Sequence, residues 1–148
     1  MKHSHNAIDV IKKSRKLLTV ASSLWNDRLY IGYSHLIHVS DGLSDIKKIS
    51  KKEATVLLEK DLTKISKQVT KALDIKLTQN QFDAIVCLVY DIGIKSFISS
   101  GMRDMLNRGE FIEASLKFRQ WSRYKKTPIY QLIKSRRMEM ALFDTPTD

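Results

Sequence analysis

The chain has 148 residues, 43% of them hydrophobic and 28% charged, with five glycines, two prolines and one cysteine. That profile excludes a disordered chain, a collagen-like repeat and a disulfide scaffold, and the length suits one domain with a substantial core, spanning 1–148. Lys and Arg total 26 against 16 acidic residues, a formal charge of +10, which favours polyanionic partners: nucleic acid, anionic lipid or an anionic cell-wall polymer. The basic residues run from Lys2 to Arg137 with no Arg-rich helix or aromatic signature, which argues against a dedicated nucleic-acid binder.

The N-terminal run MKHSHNAIDVIKKSRK lacks the apolar core of a signal peptide. The expectation is therefore a product that is cytoplasmic as synthesised and reaches a cell wall by a non-classical or holin-type route. Within it, Ile8, Ile11, Leu17 and Leu18 alternate with basic residues and predict a short amphipathic helix over 6–18. From 22 to 46 the character changes. Trp25, Tyr30, Ile31, Tyr33 and Val39, interrupted by Asn26, Asp27, Asp41 and Gly42, predict short strands and turns, a small β-lobe.

Ser50 and Glu53 have the spacing of a capping box, in which each side chain bonds the other residue's backbone N–H. Ala54, Leu57, Leu58, Leu62, Ile65, Val69, Ala72 and Leu73 then form one apolar stripe about five turns long, a helix able to join two lobes. Thr78 and Gln81 repeat the capping pattern ahead of Phe82, Ala84, Ile85, Val86, Leu88 and Val89. This almost all-round apolar helix is expected to be the core and to stop at Gly93. Its apolar run, near 84–90, is far shorter than the ~20 residues of a membrane span. Cys87 within it reads as a buried, inert thiol, and no Cys/His spacing suggests a metal or cofactor. Shorter helices are expected over 100–107 and 110–121. Pro128 is expected in the first turn of a last helix carrying Ile129, Leu132, Ile133, Met140 and Phe143, and a frayed tail over 144–148.

Four stretches resemble the phage-type lysozymes, the endolysins of glycoside hydrolase family 24. They are DVIKKSRKLL near the N-terminus, YIGYSHL (30–36), LTQNQFDAIVCLVYDIG (77–93), and 107–143, which contains NRGEFIEASLKFRQW and ends in RRMEMALF. The resemblance implies an α+β, mostly helical, two-lobed fold: a small β-lobe, a larger helical lobe, a long connecting helix and a saccharide cleft between the lobes. In that family, cleavage between N-acetylmuramic acid and N-acetylglucosamine depends on a Glu ending the first helix, an Asp in the first hairpin region and a Thr just before I-G-Y-G-H. The resemblance puts Arg15 at the Glu position, Lys16 at the following Gly, Leu24 at the Asp and Tyr30 at the Thr; Ser34 replaces the Gly before His35. Gly32, Tyr33, His35, Leu36 and Phe97 fall at cleft positions, although Leu36 and Phe97 could equally be core.

The usual two-carboxyl scheme needs one protonated carboxyl for the leaving oxygen and a second carboxylate to activate water or stabilise the transition state. A guanidinium stays charged and cannot donate that proton, and leucine cannot replace the second group. No Asp or Glu lies between Asp9 and Asp27, so Asp27 is the nearest candidate, with Asp41, Asp45 or Asp91 as potential neighbours. Arg15 reads either as an exposed residue of a basic helix or as a cleft residue that pairs with a carboxylate or binds an anion. His35 reads as structural rather than as a base, and Arg136 with Glu139 as a structural ion pair. The Tyr30 ring is expected to fill space that a sugar or water would need.

The sequence reading is therefore a lysozyme-fold protein whose muramidase chemistry is lost, kept as a peptidoglycan- or protein-binding or scaffolding module that can self-associate. The alternative is an active but atypical lysozyme, and the third reading is a basic nucleic-acid binder.

Overall fold

Ser4 starts the first helix, α1 (His5–Ser14), by accepting the Asn6 backbone N–H, and its own hydroxyl donates to Asp83. In the computed structural model, which describes residues 1–43 and 48–147, α1 buries Ala7, Ile8, Val10 and Ile11. It ends four residues earlier than expected. Ser14 Oγ and Arg15 Nε both donate to the Ile11 carbonyl, which satisfies a helix-end acceptor, and Arg15 turns extended at φ −151°. Leu18 then opens a strand, where β-branched Thr19 and Val20 are better placed than in a helix.

The β-lobe is a three-stranded antiparallel sheet in the order β1 (Leu18–Ser23), β2 (Leu29–Gly32), β3 (His35–Leu36). Ser22 pairs with Tyr30 and Ile31 with His35, with an irregularity in β1 between Leu18 and Ser22. Residues 44–47 of the expected lobe, Asp45 among them, lie outside the described residues.

Both capping boxes are present: Ser50 with Glu53 opens α2 (Lys51–Ala72), and Thr78 with Gln81 opens α3 (Gln79–Ile92). Buried side chains run nearly all round α3, which packs on α1, α2 and α7; the far part of α2 reaches β2 and β3. The long helix thus joins the sheet to the helical lobe.

Gly93 ends α3 at φ +81°, and the chain immediately starts a helix the sequence reading lacks, α4 (Ile94–Ser99). Then come α5 (Met102–Asn107), α6 (Phe111–Lys117) and a 3-10 turn (Phe118–Trp121) in place of the last turn expected for α6. Pro128 does not begin the last helix. It closes a small hairpin, β4 (Arg123–Tyr124) with β5 (Thr127–Pro128), whose two-residue loop holds Lys125 and Lys126 at φ +47° and +68°; the final helix, α7, is Tyr130–Phe143. At the start of the tail, Asp144 and Thr145 are tied to the helical lobe. Ser115 Oγ donates to Asp144 at 2.9 Å, Asn80 Nδ2 to the Thr145 carbonyl at 3.0 Å, and Thr145 Oγ1 to the Ala141 carbonyl at 2.6 Å. Among the described residues no helix is long and apolar enough to cross a membrane.

Candidate functional site

The residue that ends α1 enters the helical lobe. Arg15 is 7% exposed. Its Nη1 donates to Asp91 Oδ1 at 2.7 Å, and its Nη2 donates to Asp91 Oδ2 and to Ser135 Oγ, each at 3.3 Å. The guanidinium also lies 5.6 Å from the Tyr90 ring centroid. From α7, Arg136 Nη2 donates to Asp91 Oδ2 at 2.5 Å, while its Nε and Nη2 form a two-point contact with Glu139 at 2.7 and 2.9 Å. Two guanidiniums and two carboxylates from α1, α3 and α7 therefore make one buried network. Of the two readings of Arg15, the exposed one is overturned and the carboxylate-paired one holds, with Asp91 as partner.

The electrostatics follow from that geometry. Burial alone would raise the Asp91 carboxyl, but Arg15 and Arg136 outweigh it and hold the group below its ordinary range. Glu139 goes the other way: burial lifts it most, Asp91 adds to the rise, and Arg136 opposes it, leaving it at about 7. Such a value suits a general acid. Glu139, however, is 0% exposed and bound by Arg136, so it serves as the structural ion pair expected from the sequence.

The β-lobe positions are held differently. Leu24 is half-buried in the loop just after β1. Tyr30 is half-buried too; its hydroxyl accepts from Asn26 Nδ2 at 2.9 Å and its ring centroid lies 5.9 Å from that of Trp25, so the ring belongs to a cluster within its own hairpin. Asp27 is exposed on that hairpin, while its suggested neighbours Asp41 and Asp91 are engaged with His35 and with the two arginines.

Gly32 sits at φ +68°, a backbone conformation that favours glycine, while a Cβ there would meet Ala54 Cβ at 3.4 Å, close to ordinary contact. Tyr33 is buried; its carbonyl accepts from Tyr90 OH at 2.7 Å, and Lys12 Nζ lies 5.3 Å from its ring centroid. Ser34 keeps a left-handed φ of +64°. The turn thus retains a conformation that glycine favours, at roughly 1–2 kcal/mol of strain for a residue with a Cβ.

His35 lies between two carboxylates: Nδ1 is 2.5 Å from Asp61 Oδ2 and Nε2 is 3.0 Å from Asp41 Oδ2. Burial opposes its charge, yet Asp61 and Asp41 together raise the imidazolium above its ordinary value. With both nitrogens occupied, the ring clamps β3 to α2 and to the following turn, a structural task. Leu36, the next residue, is half-buried. Phe97, which the resemblance puts at a cleft position and which could equally be core, is 0% exposed in the core. Cys87 is equally buried, its thiol donates to the Ala7 carbonyl, and burial pushes its pKa well up.

A three-stranded lobe and a helical lobe joined by a long helix define a lysozyme-type fold. The phage lysozyme family model matches residues 19–139, and the chain belongs to that family. It is 33% identical to the endolysin of Acyrthosiphon pisum secondary endosymbiont phage 1, over 96% of this chain and 97% of the relative. It is 34% identical to the endolysin of Bacillus phage PZA over 99% of this chain, and spans 57% of that longer relative. Among solved structures, the muramidase domain of SpmX from Asticaccaulis excentricus superposes with a TM-score of 0.84 at 32% identity, covering 98% and 99% of the two chains. An endolysin from Escherichia coli O157:H7 phage FAHEc1 gives 0.83 at 27% identity, over 97% and 94%.

Proposed function

We propose that this member of the phage lysozyme family has lost glycoside cleavage and acts as a module that binds peptidoglycan or a protein partner. The observation that carries this reading is the fate of the residue ending α1. Where the family resemblance places a proton-donating carboxyl, Arg15 points into the core and is bound by Asp91. A guanidinium has no proton to give at usable pH, and Asp91, flanked by two arginines, is held ionised. Leu24 at the second carboxylate position and Tyr30 at the hydroxyl position agree with that loss. The retained fold supports a binding role, since the turn that carries His35 keeps its shape despite Ser34.

The endolysin relatives at 33% and 34% identity favour the second reading, an active lysozyme with a different set of carboxyls. Purified sacculi separate the two. The expected result is protein that sediments with the sacculi while reducing ends stay at the buffer level from pH 5 to pH 8. Release of muropeptides above that level establishes the active reading instead.

A further inference from the structure

Helix α2 carries six lysines and three carboxylates, and every carboxylate has an assigned partner. Glu53 closes the capping box at Ser50, Glu59 bonds His3, and Asp61 bonds His35. Lys60, Lys64, Lys67 and Lys71 follow one another at steps of four, three and four. At ~100° per residue they fall within an arc of about 60°, a ridge about 16 Å long on one helix face. All four are exposed, and none takes part in an ion pair among the described residues. Neighbouring lysines at such spacings repel each other, so the isolated ridge is a disfavoured arrangement of charge.

Beside the ridge, the N-terminal segment crosses α2, with the His3 backbone N–H donating to Ser66 Oγ at 3.2 Å. The crossing leaves a groove of about 860 Å³ lined by Lys2, Lys67 and Lys71 together with Thr63, Ser66 and Thr70, and by one carboxylate, Glu59, which is bonded to His3. Its one ring is the His3 imidazole, held by Ser66 and Glu59, and no Trp, Tyr or Phe lines it as a run of stacking platforms for single-stranded nucleic acid would require. Three lysines and one carboxylate already paired with His3 leave the track an excess of positive charge, which suits a flexible chain of phosphodiesters whose phosphates meet the lysines. Thr63 and Thr70 donate to the Glu59 and Met1 carbonyls and offer their oxygens only as acceptors.

We infer that the Lys60, Lys64, Lys67 and Lys71 ridge of α2 and its adjoining groove dock an anionic poly(glycerol phosphate)-type wall polymer. The inference rests on the proposed wall-binding role and gives that role an anchor on α2. The test uses the whole chain with lipid-free poly(glycerol phosphate), affinity being measured against salt. Four phosphate contacts on a flexible strand predict a log–log slope near −3, at about −0.7 per contact. The variant K60Q/K64Q/K67Q/K71Q is expected to bind at least tenfold more weakly, with a slope near zero. The variant K48Q/K76Q/K95Q/K134Q, equal in net charge, is expected to keep the affinity within about threefold. The single variant Lys64→Gln, expected to lower the slope by about one contact, reads the ridge even if the fourfold variant folds poorly. Equal losses in the two fourfold variants, absence of binding, or tighter binding of duplex DNA or anionic vesicles at the same salt would overturn the inference. Polymer-free sacculi, sedimented in parallel, report the glycan-binding role on its own.

Discussion

Asp91 in the helical lobe and the two carboxylates around His35, Asp41 beside the sheet and Asp61 on α2, are held by opposite chemistry. Asp91 lies buried between guanidiniums that stay charged at every pH the protein meets, whereas Asp41 and Asp61 share an imidazole that titrates. The first arrangement welds α1, α3 and α7 together. The second clamps the sheet to α2 with a strength that depends on pH. Around Asp91 the charge is thus fixed, with Glu139 at about 7 the titrating member of that network, while the β-lobe is held by a titratable joint at His35.

Reversing the charge at the weld has the largest expected effect. Arg15→Glu puts a carboxylate against Asp91 and leaves the Asp91 charge half-compensated; breaking such a buried pair costs about 3–5 kcal/mol, read as a lower urea midpoint. Adding Asp91→Asn is expected to recover much of that loss. For the same reason, rebuilding the family residues by Arg15→Glu, Leu24→Asp and Tyr30→Thr requires Asp91→Asn as a fourth change. If the three-residue variant is as stable as the parent, the weld is not structural.

The next effect is a pH profile with two limbs. His35 has a raised value, so its contribution is fully present below its unfolded value near 6.5 and is lost as pH rises through the higher folded value. Glu139 is raised from 4.5 to about 7 and neutral when protonated, so the folded state also loses stability as pH rises across that interval. Asp91 is lowered, and its contribution is lost as pH falls below the ordinary carboxylate range. Thermal melts should therefore peak in mildly acidic buffer. His35→Gln should cost about 1.5–3 kcal/mol near pH 5.5, the worth of hydrogen bonds to charged groups, and much less near pH 9. Glu139→Gln should flatten the fall between pH 4.5 and 7. Equal costs of His35→Gln at both pH values would show that its packing, and not its charge, holds the joint.

Tyr30→Phe is the smallest change. It removes the Asn26 hydrogen bond and leaves the Trp25 contact, an expected loss of about 0.5–1.5 kcal/mol in chemical denaturation. A larger loss would mean that the phenol has a partner beyond its own hairpin.

Local signals carried much of this architecture. Ser50 with Glu53 and Thr78 with Gln81 marked two helix starts because capping is decided within four residues, and the apolar circumference of α3 announced its central place. The end of α1 was not legible, since it depends on how Ser14 and Arg15 compete for the Ile11 carbonyl. The β4–β5 hairpin was hidden by a loop of two lysines at positive φ, where glycine or asparagine would have signalled the turn. At the site, Arg136 and Glu139 were readable as neighbours at a spacing of three. The partners of Arg15, by contrast, lie 76 and 120 residues away in Asp91 and Ser135, and the carboxylate opposite His35 comes from α2. Such pairings are set by packing, which no local pattern records.

The claim that an arginine has taken the acid's place is tested most directly by counting reducing ends released from purified sacculi by the unaltered protein across the pH range. Release indistinguishable from buffer, alongside retention of the protein on the sacculi, is the predicted result; sustained release with a bell-shaped pH profile would contradict it.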